Sequence, residues 1–354
     1  MRLGSGQAPG KVILFGEHAV VYGRPGLAAP VTQVCAEAIV EAAPSGAGVI
    51  IVAPDLGEEI SLRDAAADHP LAAAARLALA TAPGLALTVI RSQESGVRGQ
   101  GSASFQLPVF DLQPLPDWRI TIRSTIPIAS GLGSGAAVST ALVRAIIDAA
   151  HQQIRTTQYA LRNTHYAIRD TQALSALIYE VEKLHHGAPS GIDNTVIAYG
   201  QPVYFVRGQP PQPFAIGRPF TLAIADTGIR SPTKIAVEQV RRAWEAAPAR
   251  FEALFDEIAA VVEAARTAIA GGQPDRLGPL MGANHALLQQ IGVSSPELDA
   301  LAAAARGAGA LGAKLSGAGR GGNMIALITA DTASAVTAAL WAAHATNVIV
   351  TQVG

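Results

Sequence analysis

Two acidic side chains occupy positions that suit a functional site. Asp193 lies in segment 186–194 (HGAPSGIDN), where proline and glycine predict a rigid loop after a helix that ends near residue 185. Glu182 lies in the last turns of that helix, where the helix dipole disfavours a negative charge and a cation such as Mg²⁺ would offset it. The residues alone also allow a turn role for Asp193 and a solvated helix face for Glu182.

A second pair of titratable groups follows an apolar run near the start of the chain, in segment 8–23 (APGKVILFGEHAVVYG). Lys11 enters a short predicted strand, and Glu17 and His18 follow directly after it. Titratable groups at the end of a strand suit a ligand pocket. The segment is not a Walker A loop, because Gly-Lys is followed by valine instead of Ser or Thr. A plain strand with a lysine at its solvated start is the alternative.

Two further segments are rich in glycine. Segment 127–137 (PIASGLGSGAA) precedes a predicted helix, whose free N–H groups and positive dipole end would form a phosphate site. Its glycine spacing also fits a dinucleotide-binding fingerprint, although that fingerprint needs a βαβ unit. A simple glycine turn before a helix is the other alternative. Segment 314–327 (KLSGAGRGGNMIAL) has similar letters, but the strand predicted after it excludes a dinucleotide site and indicates close backbone approach to a ligand or another loop.

The remaining pattern indicates the elements that must position these groups. Apolar alternation predicts strands near 33–42, 48–53, 86–91, 118–125, 219–226, 323–329 and 347–352. Helical spacing predicts helices near 69–82, 135–151, 170–185, 233–245, 250–271, 274–291, 296–307 and 332–344. Strands and helices do not alternate strictly, which favours an α+β fold over a doubly wound parallel sheet.

The chain length of 354 residues favours two domains. The segment 207–213 (RGQPPQP) is the best predicted junction, and 93–117 is predicted to be a surface excursion within a domain.

Composition excludes several classes of partner. The formal net charge is −1 and charged residues make up only 15% of the chain, so no electrostatic footprint for nucleic acid or an anionic membrane is present. Cys35 is the single cysteine, which rules out an intrachain disulfide. The N-terminal residues lack an apolar signal core. We therefore expect a cytoplasmic protein with a small-molecule partner and neither nucleic acid nor membrane as partner, and the sequence leaves a homodimer open.

Taken together, these motifs resemble the GHMP kinase superfamily, named for galactokinase, homoserine kinase, mevalonate kinase and phosphomevalonate kinase. The order is the family's: an early lysine strand, a Pro-x-x-x-Gly-Leu-Gly-Ser loop and a late glycine-rich loop before a strand. Segments 8–23 and 186–194 look most like the mevalonate kinases of this superfamily. The resemblance runs from about residue 8 to the C-terminus, except for 93–117.

The resemblance implies a two-domain GHMP kinase fold of the α+β class. It comprises a ribosomal protein S5 domain 2-like N-terminal, ATP-binding domain over 1–208 and a ferredoxin-like C-terminal domain over 209–354. The implied activity is ATP-dependent phosphorylation of the 5-hydroxyl of mevalonate in isoprenoid biosynthesis, with ATP and Mg²⁺ as cofactors. The alternatives are phosphomevalonate kinase, mevalonate diphosphate decarboxylase, a non-catalytic metabolite-binding protein and, from glycine spacing alone, a nicotinamide-dependent oxidoreductase.

The resemblance also implies a role for individual residues. Asp193 matches the catalytic aspartate and Lys11 the lysine beside it, while Glu182 matches the Mg²⁺ ligand. The residues implied in ATP binding are Ser124, Pro127, Gly131, Leu132, Gly133, Ser134, Gly135 and Ala136. Those implied in substrate binding are Glu17, His18, Thr233 and Gly319. Family members often carry a second serine where this chain has Gly135. Either Ser134 or a water takes the place of that hydroxyl on the metal, or Glu182 and the phosphates suffice.

Overall fold

The computed structural model describes residues 1–81, 88–89, 110–111, 115–128, 130–156, 171–186, 189–231 and 233–354. Most of the predicted excursion at 93–117 and most of the predicted strand at 86–91 lie outside the described residues.

The described elements follow one another in a mixed order, as the α+β prediction requires. The strands are β1 (Arg2–Phe15), β2 (Gly26–Ala42), β3 (Val49–Ala53), β4 (Glu58–Ser61), β5 (Thr88–Val89), β6 (Phe110–Asp111), β7 (Trp118–Ser124), β8 (Val203–Phe205), β9 (Gln212–Pro213), β10 (Phe220–Asp226), β11 (Gly312–Ser316), β12 (Asn323–Ile328) and β13 (Asn347–Val353). The α-helices are α1 (Pro70–Thr81), α2 (Ser134–Thr156), α3 (Thr171–His186), α4 (Ile192–Tyr199), α5 (Thr233–Ala246), α6 (Pro248–Ala270), α7 (Leu277–Ile291), α8 (Pro296–Gly307) and α9 (Ala333–Ala342). None of the helices in the described part of the chain is long and apolar enough to cross a membrane.

The chain divides into two compact units. The first consists of residues 1–8, 36–124 and 138–185. In its sheet, β7 lies between the second half of β2, which is antiparallel to it, and β3, which is parallel to it. The start of β1 lies so close to α2 that a Cβ at Gly4 would be 2.4 Å from the Ala149 nitrogen. Glycine is therefore required where this strand crosses the helix.

The second unit consists of residues 9–35, 125–137 and 186–354. Its four-stranded sheet has the order β11-β12-β10-β13, with every neighbouring pair antiparallel. Helices α5 to α8 connect β10 to β11, and α9 connects β12 to β13. This is the βαββαβ order of a ferredoxin-like domain, as predicted for the C-terminal part of the chain. Strands β11 and β12 are buried along their whole length, and β12 accordingly reads as an apolar run without alternation after Asn323.

Each predicted helix is present, and each predicted end lies within five residues of the observed end. The predictions missed β4, β6, β8, β9, β11 and α4, because these elements are short and several of them lie among glycine and proline residues that read as loops. Helix α8 illustrates why the correctly predicted helices could be found from the sequence. The Ser295 side chain accepts a hydrogen bond from the Leu298 N–H at the N-terminus, and Pro296 occupies the first turn.

Strand β11 is held by a close backbone contact with α7. A Cβ at Gly278 would lie 2.2 Å from the Leu311 carbonyl oxygen, and one at Gly312 would lie 2.3 Å from the Gly278 oxygen. Two glycines therefore let the helix and the strand touch through their backbones. This contact fixes the depth of β11 against α7.

Gly278→Ala should lower the free energy of unfolding by about 1–3 kcal/mol, because the added methyl group overlaps backbone atoms that cannot rotate away. Gly282→Ala on the same helix is the matched control, since a Cβ there meets nothing within 4 Å. The control should stabilise by about 0.5–1 kcal/mol through helix propensity. Urea unfolding of both variants measures the difference, and equal effects would contradict the proposed contact.

Candidate active site

The second unit brings Lys11 and Asp193 together as an ion pair. Lys11 Nζ lies 3.0 Å from Asp193 Oδ1, and the side chains are 4% and 32% exposed. The lysine reaches the pair from buried strand β1, whereas the carboxylate stays open to solvent on one side. A carboxylate in this position can accept a hydrogen bond from a ligand hydroxyl while its neighbour supplies positive charge.

The local structure of Asp193 differs from the prediction of a loop. Asp193 lies in the first turn of α4, after Gly191, whose φ is 94°. Ile192, Val196 and Ile197 are buried and anchor this two-turn helix, although the preceding Pro and Gly read as a loop. A carboxylate in the first turn is stabilised by the positive end of the helix dipole. Gly187 and Ala188 of the same motif lie outside the described residues.

The glycine-rich loop before α2 lies directly against Lys11. The Lys11 N–H donates to the Leu132 carbonyl oxygen at 2.9 Å. Gly133 has a φ of 75°, and a Cβ there would lie 2.7 Å from Ile197 Cδ1 and 2.9 Å from Lys11 Cγ. At Gly131, with a φ of 83°, a Cβ would meet nothing within 4 Å. The loop is thus packed on one side and open on the other, at the N-terminus of a 23-residue helix, which suits a phosphate group.

His18 is presented by a strained turn. Its backbone has φ 60° and ψ −49°, and the Ala19 N–H donates to the Glu17 carbonyl oxygen at 2.7 Å. This is a γ-turn with positive φ, which is rare because it is strained. Strain of this kind persists only where the surroundings hold it, and it is common at functional sites.

The side chain of His18 is buried and neutral. Its Nε2 lies 2.9 Å from the Ala318 carbonyl oxygen, which can only accept, so Nε2 carries the proton. Burial lowers the pKa of His18 from 6.5 to about 4; the carbonyl opposes this shift, and the positive charge of Arg320 adds to it. The remaining nitrogen, Nδ1, is therefore a hydrogen-bond acceptor at neutral pH.

Glu17 and Lys314 form a fully buried ion pair next to this turn. Lys314 donates to Glu17 Oε1 and, at 2.6 Å, to the Leu315 carbonyl oxygen. Burial raises the pKa of Glu17 against the opposing effect of Lys314, and burial lowers the pKa of Lys314 against the opposing effect of Glu17. The positive charge of Lys11 also acts on Glu17. Each group therefore reduces the cost of burying the other's charge.

The late glycine-rich loop, residues 317–322, links the His18 turn to the glycine-rich loop before α2; these three segments, with Lys11, Asp193, Glu17 and Lys314, form the site cluster. Ala318 accepts from His18, and the Asn323 amide that follows the loop donates to the Ser130 carbonyl oxygen. Gly319 has a φ of 77°, and a Cβ there would lie 2.0 Å from the Val293 oxygen. The expectation of close backbone approach is confirmed, with other loops as the neighbours.

Comparison with known proteins places this arrangement in a family. Residues 106–201 match the model of the GHMP kinases N terminal domain, and residues 263–346 match the model of the GHMP kinases C terminal. The chain is 34% identical over 344 residues to the mevalonate kinase of Thermococcus gammatolerans, covering 94% of this chain and 92% of the relative. It is 33% identical to that of Pyrococcus furiosus, covering 90% and 87%.

The chain belongs to the GHMP kinase family. The crystal structure of L. major mevalonate kinase in complex with R-mevalonate is similar to this GHMP kinase, with a TM-score of 0.75, 28% identity and coverage of 99% of this chain and 95% of the other. A Streptococcus pneumoniae phosphomevalonate kinase shares the fold at 15% identity, with a TM-score of 0.70 and coverage of 99% of each chain. The two family models match on either side of the predicted boundary at residue 208, whose position stays a prediction.

The other predicted site residues have the following places in this GHMP kinase. Ser124 ends β7 in the first unit, and its N–H donates to Asp55. Glu182 is buried on α3, also in the first unit. Thr233 begins α5 and is exposed; among the described contacts none joins it to Lys11 or His18.

Around the phosphate loop, the Pro127 carbonyl accepts from the Ser130 hydroxyl at 2.8 Å. Ser134, Gly135 and Ala136 form the first turn of α2.

For three residues of the site cluster, the sequence predicts no role in the site. Lys314 was noted only as the start of a loop, and Ser130 and Asn323 were not singled out. A lysine inside a wholly apolar segment is the signal that could have found Lys314, because a buried cation requires a buried partner. The contact between Ser130 and Asn323 spans 193 positions, and no local pattern indicates it.

Replacing His18 should change how stability depends on pH. The unfolded chain binds a proton at His18 near pH 6.5, whereas the folded chain does so only near pH 4, so stability at this site is lost as pH falls through that window. Asparagine tolerates positive φ and can donate to the Ala318 oxygen, which makes His18→Asn a conservative variant.

Urea unfolding of wild type and His18→Asn between about pH 7 and pH 5 measures this dependence. The wild type should lose on the order of 2 kcal/mol more than the variant across that range. A difference that does not change with pH would show that His18 titrates normally in the folded protein.

Proposed function

We propose that this GHMP kinase is a mevalonate kinase, which transfers the γ-phosphoryl group of ATP to the 5-hydroxyl of mevalonate and forms 5-phosphomevalonate for isoprenoid biosynthesis. The observation that carries the proposal is the Lys11–Asp193 ion pair beside the open glycine-rich loop. It occurs in a chain that is about a third identical, over most of its length, to proteins named mevalonate kinase.

Asp193 is the proposed catalytic residue that orients the acceptor hydroxyl and takes its proton. Its carboxylate is partly exposed, so a hydroxyl can reach it, and the helix dipole and Lys11 hold it in place. Lys11 also supplies positive charge to the transferred phosphoryl group, since phosphoryl transfer depends mainly on alignment and charge neutralisation. The buried strand β1 fixes Lys11, and the anchored helix α4 fixes Asp193, before the substrates arrive.

ATP is proposed to place its phosphates at the start of α2. The first turn of α2, from Ser134 to Ala136, offers N–H groups that have no partner within the helix, and the missing side chain of Gly131 leaves the approach open. Glu17, His18, Thr233 and Gly319 are proposed to belong to the mevalonate side. His18 Nδ1 is well suited to accept a hydrogen bond from a substrate hydroxyl, because Nε2 is already used.

Mg²⁺ fits the oxygen groups that the chain offers. No group of three or more His, Cys, Asp or Glu side chains within the described residues could hold a metal. Mg²⁺ is commonly held by one or two carboxylates together with phosphates and water. The family resemblance implies the Glu182 carboxylate and the Ser134 hydroxyl as ligands, and the ion would neutralise phosphate charge.

A comparison of acceptors tests the proposed function. The purified protein is assayed for ATP-dependent phosphorylation of mevalonate, phosphomevalonate, homoserine and galactose, with release of CO₂ from diphosphomevalonate measured in parallel. Mevalonate should have the highest kcat/KM. Preference for phosphomevalonate, or CO₂ release, would replace the proposal by one of the other family activities. Binding of mevalonate without turnover would indicate a non-catalytic protein.

Asp193→Asn should lower kcat by about 10²–10⁴-fold while the affinity for ATP stays near that of the wild type, because the proton acceptor is lost and the phosphate loop is untouched. Glu297→Gln is a matched control, since it removes an exposed acid from the first turn of α8. The control should keep full turnover. Normal turnover of the Asp193 variant would rule out the assignment.

A further inference from the structure

The ion pairs of the second unit leave one cation of the cluster uncommitted. Lys11 is paired with Asp193, and Lys314 is paired with Glu17. Within the described residues Arg320 has no carboxylate partner; its guanidinium donates to the Gly292 carbonyl oxygen at 3.1 Å. That bond uses one of five N–H donors, and the side chain is exposed. Arg320 can therefore bind an anion without breaking an existing ion pair.

Arg320 lies in the loop between the residue that contacts His18 and the residue that contacts Ser130 of the phosphate loop. Two residues before it, Ala318 accepts the hydrogen bond from His18. Three residues after it, Asn323 donates to Ser130 of the phosphate loop. The Arg320 N–H is fixed to the Val293 carbonyl oxygen at 2.7 Å, so the backbone under the side chain is held.

The backbone of Arg320 favours a different residue type. Its φ is 59°, between Gly319 at 77° and Gly321 at 137°. Glycine adopts such a conformation freely, whereas a residue with a Cβ is strained there. An arginine at this position is therefore not explained by the fold of the loop, and the inference from strain runs to function.

We propose that Arg320 binds the carboxylate of the acceptor substrate and selects hydroxy acids over neutral alcohols. This rests on the proposed function, because mevalonate carries a carboxylate at the end opposite to its 5-hydroxyl. Arginine matches a carboxylate through two parallel N–H···O bonds, which a lysine cannot reproduce.

Electrostatics near His18 favour the carboxylate over a nucleotide phosphate as the partner. The positive charge of Arg320 is felt at the His18 ring, which is on the proposed mevalonate side. A neutral His18 then accepts from a substrate hydroxyl while Arg320 holds the acid group. The phosphates already have Lys11 and the free N–H groups at the start of α2.

The test compares two acceptors, mevalonate and 3-methylpentane-1,3,5-triol, in which a hydroxymethyl group replaces the carboxylate. For each enzyme the ratio of kcat/KM for mevalonate to kcat/KM for the triol is measured, together with the KM for ATP. Arg320→Gly removes the cation and relaxes the backbone, so misfolding is not the expected cause of a loss. Arg320→Lys keeps the positive charge but cannot form the two parallel N–H···O bonds of a guanidinium group.

Arg230→Gln is the matched control. Arg230 is an exposed arginine next to Ile229, whose carbonyl accepts from the Gly322 N–H of the same loop.

In Arg320→Gly the ratio should fall by about 10–100-fold, mainly through the KM for mevalonate, because carboxylate binding is lost before and during the chemical step. Arg320→Lys should show a smaller fall, and Arg230→Gln should keep the wild-type ratio. An unchanged ratio in Arg320→Gly overturns the inference, as does an equal fall in Arg230→Gln. A higher KM for ATP with both acceptors assigns Arg320 to the nucleotide and also overturns it.

These outcomes are distinct from failure of the proposed function. If the wild type phosphorylates neither acceptor, the mevalonate kinase proposal fails. If the wild type is active but Arg320→Gly discriminates as well as the wild type does, only the carboxylate assignment fails.

Discussion

The buried ion pair between Glu17 and Lys314 is the interaction on which the candidate site depends. It joins Glu17, two residues after the end of β1, to the middle of β11, across 297 positions of sequence, with both side chains excluded from solvent. Two charges buried in this way are costly to keep, and removing either partner leaves the other uncompensated, at a cost of about 3–5 kcal/mol. The pair therefore fixes where the β1 end lies in the second unit.

The fixed β1 end explains how a strained turn can persist at His18. Glu17 is held by Lys314 on one side of the turn, and the His18 ring is held by the Ala318 carbonyl on the other. Lys314 and Ala318 belong to β11 and the loop that follows it, so one short stretch of chain supplies both restraints. The crossing of α7 and β11 at Gly278 and Gly312 sets the position of that stretch. Strain at the turn is thus balanced by packing that lies outside it.

The sequence predicted the elements with strong periodicity and the motifs that carry their own chemistry. Helices such as α6 and α8 could be found because apolar spacing and capping residues are local. The pairing of Lys11 with Asp193 could be expected only from family resemblance, since 182 positions separate them (193 minus 11).

The helical state of Asp193 was missed because burial of Ile192 and Val196, a tertiary effect, outweighs the local turn signals. Lys314 was missed for a similar reason. The fold brings Lys314 next to Glu17 from a distant part of the chain, and no short segment of sequence carries information about that pairing.

The charges of the Lys11, Asp193, Glu17 and Lys314 side chains cancel, and this has a consequence for how ligands arrive. Two cations and two anions sum to zero, and the chain as a whole carries a formal charge of −1. Beside these pairs, among the described residues of the cluster, the exposed Arg320 remains as a single cation, and one charge does not draw anions in from a distance, since field steering needs a large excess of one sign. Association should then proceed by ordinary diffusion and depend little on ionic strength, and recognition takes effect only after contact.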